Sequence, residues 1–230
     1  ILPPDINLCD YPFIVSRQNS IRYGLGAIKG VGQAALDIII EQKNKKHFSS
    51  LQDFCNRVDL RKVNRRVIES LIKAGAFDCF QQSRKYMLEN LNSALKSAEQ
   101  TSALKTTGQR DLFENFASFS DENQKQNENL PSNQIEDILY FEKETLGYYF
   151  SGHPLEIYQN ELSAIDNITL INQLGNGQAK TLKVAGLIVA SRVILNKRDE
   201  KMAFVTLEDK TGRAEIVIFS DLYKECKSTI

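Results

Sequence analysis

The sequence predicts a multidomain α+β chain, mostly helical in its first two thirds and built of short β-strands in its last quarter. Three observations predict it. Apolar residues recur at three- and four-residue spacing over residues 34–104 and 135–149, whereas from Thr181 the period falls to two. Residues 114–133, rich in Asn, Ser, Gln and Glu, read as a linker between helical blocks. Charge is segregated in the same way. The 230 residues carry 29 Lys/Arg and 29 Asp/Glu, yet residues 14–108 hold 16 basic against 8 acidic and residues 111–162 hold 2 against 11. The first block suits phosphate neutralisation and the second would be repelled by phosphate. Ordinary solvated faces are the alternative.

Residues 1–20 read as extended, because Pro3, Pro4 and Pro12 oppose helix. Ile21, Tyr23 and Leu25 alternate as in a short strand. Gly30 and Gly32 mark a tight turn before a helix that runs to about Lys43. Lys43 to Lys46 form a basic connector. Phe48, Leu51, Phe54 and Cys55 open a second helical unit, and Val58 to Lys62 break its period. Asn64 is placed to cap a helix with Val67, Ile68, Leu71 and Ile72 on its apolar face. Ala74-Gly75 stops it. Residues 26–44 and 54–78 therefore look like two copies of one helical hairpin. A long amphipathic helix follows over 82–104.

After the linker, Ile135, Ile138, Leu139 and Phe141 restart a helix reaching about Tyr149. Ser151 to Pro154 form a turn, and Leu155 to Leu162 another short helix. Leu182 to Leu195 then read as a strand run, Asn196 to Lys201 as a charged hairpin turn, and Ala203 to Asp209 as the return strand. Lys210 to Gly212 turn the chain into a third strand ending at Phe219, and Asp221 opens a helix. Three meandering strands followed by a helix correspond to the first part of a β-barrel of OB type.

No apolar run approaches the roughly 18 residues of a membrane span, and the N-terminus has no signal-peptide pattern. The absence of a starting Met and the stop soon after a strand-like run lead to the expectation of a fragment. Cys9, Cys55, Cys79 and Cys226 are scattered, with only His47 and His153 beside them, so no zinc site is expected. Scattered free thiols fit a reducing cytoplasm.

The Gly30-Val31-Gly32 turn is the sharpest motif. Bare backbone lets a phosphate approach the turn amides and the start of the following helix, with Gln33 at that start and Lys29 at the rim. Such a site reads phosphate rather than bases. Arg61, Lys62, Arg65 and Arg66 add charge from the second unit. A plain glycine turn between packed helices is the alternative. Gln109-Arg110-Asp111-Leu112-Phe113 is a second motif, with a hydrogen-bonding Gln and an apolar pair able to fill a partner's pocket. Packing of a helix end on its own domain competes with it. In the strand block, Arg192, Lys197, Arg198 and Lys201 suit contact with a single strand, unless the block is only a folded spacer. Glu208 and Asp209 read as a solvated strand end, and His153 as structural. No catalytic constellation is visible.

Ile1 to Asn7, Ile21 to Leu25, Ala27 to Gly32, Leu71 to Asp78, Glu142 to Gly147 and Ser151 to Leu155 resemble, in order, segments of the bacterial DNA polymerase III alpha subunit family, the replicative C-family polymerases. The resemblance implies the end of a fingers region at 1–25 and a tandem helix-hairpin-helix domain at 26–108. It implies a clamp-binding peptide with acidic linker at 109–133, a helical connector at 134–178 and an incomplete OB domain at 179–230. Gln109, Asp111, Leu112 and Phe113 would then contact the sliding clamp. Duplex DNA would be held by its backbone, with single-stranded template and other replisome subunits as further partners. The parent would be a nucleoid-associated cytoplasmic polymerase using Mg²⁺ bound outside this segment, which itself holds no cofactor. The second turn, Lys73 to Ala76, departs from Gly-x-Gly. A free-standing helix-hairpin-helix/OB repair adaptor, or an aminoacyl-tRNA synthetase fragment with an anticodon-binding OB domain, are the competing readings.

Overall fold

The computed structural model describes residues 1–16, 19–107, 132–175 and 181–228. The chain forms two compact units, Ile1–Ser151 and Gly152–Ile230.

Among its described residues the first unit is helical apart from a two-stranded ribbon, β1 (Ile14–Ser16) against β2 (Ser20–Arg22). Its helices are α1 (Gln33–Lys45), α2 (Leu51–Arg57), α3 (Arg65–Lys73), α4 (Arg84–Thr107) and α5 (Ser132–Leu146). The strand expected through Leu25 ends at Arg22. Leu25–Ala27 is instead a 3-10 turn, because the chain must bend there to enter the hairpin. Ser50 caps α2 by accepting from the Asp53 amide, and Asn64 caps α3 by accepting from Val67. Leu36, Ile39, Phe54, Ile68, Leu71, Ile72, Phe77, Met87 and Leu91 are fully buried in one core. The same core takes in Ile6, Cys9, Tyr23 and Leu25 from the first 25 residues and Leu146 from α5. Phe54 anchors it, edge-on to both Phe48 and Phe77 with ring centroids 4.9 Å apart in each pair.

The turn after α3 closes as a Schellman motif. Ala76 N–H donates to Leu71 O and Gly75 N–H to Ile72 O, both at 3.0 Å, with Gly75 at φ +82°.

The second unit holds the antiparallel meander β3 (Leu187–Leu195), β4 (Lys201–Asp209) and β5 (Gly212–Ile218), in that order, followed by α6 (Ser220–Cys226). The strand run expected from Leu182 starts at Leu187, and Lys183 makes only an isolated bridge to Ile168. Among the described residues the sheet does not close into a barrel. The α+β class therefore holds: a helical hairpin unit, then a small sheet compatible with a truncated OB barrel.

Glu208 and Asp209 are buried, unlike the solvated strand end expected of them. Glu208 pairs with Arg213 at 2.6 Å. Asp209 accepts from the amides of Ile171, Thr211 and Gly212 and from the Thr211 hydroxyl. Burial alone would raise the Asp209 pKa, but these donors outweigh it and hold the carboxyl below the usual range.

Candidate nucleic-acid interface

The first hairpin presents its turn to solvent. Lys29, Gly30, Gly32 and Gln33 are exposed, whereas the Val31 side chain is buried in the core. Val31 N–H also donates to Ile28 O, so Val31 anchors the turn and offers a ligand neither side chain nor amide. Gly30 has φ +86°, and a Cβ there would lie 2.9 Å from Ser70 Oγ on α3. Gly32, the residue before α1, has φ −87°, and a Cβ there would meet nothing within 4 Å.

The start of α1 has no side-chain cap and no acidic residue in its first turn, in contrast to α2, which has both a serine cap and Asp53. Among the described residues the amides of Gly30, Gly32, Gln33 and Ala34 make no hydrogen bond. These unbonded donors stand at the positive end of a 13-residue helix under open space, an arrangement that favours negative charge. The Gln33 side chain is turned aside to Asp37 at 2.8 Å.

The four basic residues of the second hairpin divide. Arg65 bonds Glu69 at 2.6 Å and Asn92 at 2.5 Å, which ties α3 to α4. Arg61 is 94% exposed beside Asp59. Lys62 and Arg66 are exposed and, like Lys29, form no ion pair among the described residues. Arg66 precedes Ser70 by one helical turn on the same face of α3. In the second turn the amides of Ala74, Gly75 and Ala76 are all spent within the chain. A Cβ on Gly75 would lie 2.3 Å from Arg84 Nη2, so this glycine admits the Arg84 guanidinium rather than a ligand.

Sequence reasoning gave no role to Arg84, Glu142, Ser70 or Thr145, although Glu142 and Thr145 stand in the Glu142 to Gly147 motif. Arg84 and Glu142 form a buried pair at 3.2 Å, and Arg84 also bonds Asp78 at 2.7 Å. Burial disfavours the Arg84 charge, but Asp78 and Glu142 outweigh it and raise its pKa.

In the sheet unit, Arg192, Lys197, Arg198 and Lys201 are exposed. Arg192 lies over its cross-strand partner Phe204, 5.2 Å from the ring centroid. Phe204 is half-buried and Phe219 exposed. Gln109, Asp111, Leu112 and Phe113 lie outside the described residues.

An exposed glycine turn between helices, with a second helical turn packed beside it, is a helix-hairpin-helix arrangement in the first unit. Residues 1–87 match the family described as Helix-hairpin-helix motif. Over nearly its whole length the chain is homologous to a segment of the DNA polymerase III alpha subunit. It is 39% identical over 222 residues to DNA polymerase III subunit alpha of Vibrio cholerae, covering 96% of this chain and 19% of that protein. The Escherichia coli K12 protein of the same name is 39% identical over 223 residues, with the same coverage. That of Buchnera aphidicola is 36% identical over 233 residues, covering 100% of this chain and 20% of the relative. The chain thus spans about a fifth of the length of these relatives.

Proposed function

We propose that this chain is the duplex-gripping and clamp-contacting part of a replicative DNA-directed DNA polymerase. The observation that carries the grip is Gly32. Neither its backbone angles nor its neighbours require glycine, yet the space above it is open and the amides around it are unbonded. A backbone phosphate fits that space, with Lys29 as a point charge and Arg66 and Lys62 on the second hairpin. Relatives named as polymerase subunits favour this over a repair adaptor or a synthetase fragment.

Binding would be independent of base sequence and steep in salt. The test is a salt titration of duplex affinity for the wild type, Gly32→Val and Lys29→Ala. Each variant should lose about one unit of slope per phosphate contact removed. Equal affinities and slopes for all three would sink the assignment.

Clamp contact rests on Gln109, Leu112 and Phe113, a short peptide of the type that fills a partner's pocket. Leu112 and Phe113 would each bury apolar surface worth about 1.5–3 kcal/mol. Calorimetry against a cognate sliding clamp should show affinity lost in the Leu112→Ala/Phe113→Ala variant. Retained affinity would place clamp contact elsewhere.

Nucleotide transfer would belong to the rest of such a polymerase. The Mg²⁺ it would use has no fitting donor set among the described residues, where Glu208 is paired with Arg213 and Asp209 is filled by amide and hydroxyl donors. The exposed cations of the sheet, beside the Arg192–Phe204 pair, suit a single-stranded template passing over β3.

A further inference from the structure

Glu142 is 1% exposed and carries five donors. Its Oε1 accepts from Arg84 Nη1 and Nη2 at 3.2 Å each and from Ser151 Oγ at 2.6 Å. Its Oε2 accepts from the amides of Phe150 at 2.7 Å and Ser151 at 2.9 Å. A buried ion pair contributes little net stability over apolar packing, so its role is better sought in the geometry it fixes.

That geometry lies three residues further on. The last carbonyls of a helix lack intrahelical partners, and here two of them meet the first hairpin. Thr145 O accepts from Lys29 N–H at 3.0 Å. The Tyr23 hydroxyl is shared between Leu146 O at 3.5 Å and Ala27 O at 3.1 Å. Lys73 bonds Glu144 at 2.9 Å, tying α5 to α3, whose Ser70 abuts Gly30. Arg84, on the other side of the pair, packs over Gly75 and donates to Lys73 O.

We propose that Glu142 is a positioning residue for duplex binding. Held by Arg84, Phe150 and Ser151, it fixes the last turn of α5, and that turn holds the Lys29-Gly30 backbone in its phosphate-accepting form. Through Arg84 the same carboxylate sets the second turn against the first. This inference rests on the phosphate-turn function proposed above.

The test is a salt titration of duplex affinity with the whole 230-residue chain, well below each variant's melting midpoint. Glu142→Ala should weaken binding about tenfold and lower the salt slope by about one. Glu142→Gln, which still accepts from the Phe150 and Ser151 amides, should fall only about threefold, as should Tyr23→Phe. Adding Glu142→Ala to Gly32→Val should weaken binding no further than Gly32→Val does alone, since both act on one contact. Variants that melt earlier yet bind with wild-type affinity and slope would overturn the inference and leave Glu142 purely structural. If Glu142→Ala does not fold, Tyr23→Phe decides by the same slope: a reduced slope supports the inference, a wild-type slope overturns it. Wild-type binding by Gly32→Val alone would instead remove the phosphate turn, and this inference with it.

Discussion

At the residue scale, a Cβ on Gly30 would meet Ser70 and sit on a left-handed backbone, whereas a Cβ on Gly32 would meet open space at an ordinary φ. The first glycine is needed to make the turn and the second to leave it bare. Gly32→Asp separates the two demands. An aspartate at this position caps α1 better than glycine by a few tenths of a kcal/mol, roughly, yet it places a carboxylate where a phosphate would sit. The variant should melt no earlier than the wild type and bind duplex far more weakly. Unchanged duplex affinity in that variant would contradict the phosphate site. Gly75 obeys a third logic, since its φ of +82° and the Arg84 guanidinium above it both exclude a side chain. Gly75→Ala should cost about 1–3 kcal/mol of stability in a denaturant melt. Arg84→Met should cost about 3–5 kcal/mol, because it leaves Glu142 buried without its charge partner. Cys55, its thiol pushed up to about 12 by burial, should react with alkylating agents only after unfolding.

At the scale of elements, the helical hairpins were legible because their apolar faces repeat over enough residues to fix period and length. Asn64 marked the start of α3 and Gly75 its end, for stated capping reasons. What the sequence hid were contacts across long separations, such as Glu142 with Arg84 and Thr145 with Lys29, which leave no local period. The strand start was misplaced because the alternation of Leu182 and Val184 imitates pairing that only Lys183 makes, as a single bridge. Asp209 was likewise hidden, since its partner Ile171 lies 38 positions away. Its consequence is a pH dependence. The folded pKa lies below the unfolded value of about 3.9, so the unfolded chain binds more protons in the window between them. The Asp209 contribution is complete above pH ~4 and is lost as pH falls through the folded value. The protection factor of the Ile171 amide, its exchange relative to the intrinsic rate at each pH, should fall below that pH, and Asp209→Asn should flatten the dependence. Exchange independent of pH-driven opening in the wild type would contradict it.

For the whole molecule, the ordered motifs resemble the polymerase family, and similarity to named relatives over 96% of the chain agrees, whereas charge segregation by itself points only to a phosphate-bearing partner. The turn of the first hairpin was legible as residue types, but the division of labour within it was not. Val31 is an anchor, Arg65 a tie between helices, and the Gln33 side chain is held by Asp37. Those roles depend on which way side chains turn, which spacing alone does not decide. The chain by itself should not extend a primer on a template with Mg²⁺ and nucleotides, because Glu208 and Asp209 are engaged within the fold. Template-dependent extension by the pure chain would overturn that expectation. The central claim, that duplex backbone is held at the first hairpin, is tested most directly by amide chemical shifts during titration with a short duplex. The largest shifts should fall on Gly30, Gly32, Gln33 and Ala34, with Gly75 and Ala76 nearly unmoved. Shifts concentrated on the second turn or the sheet, with residues 30–34 unmoved, would contradict it.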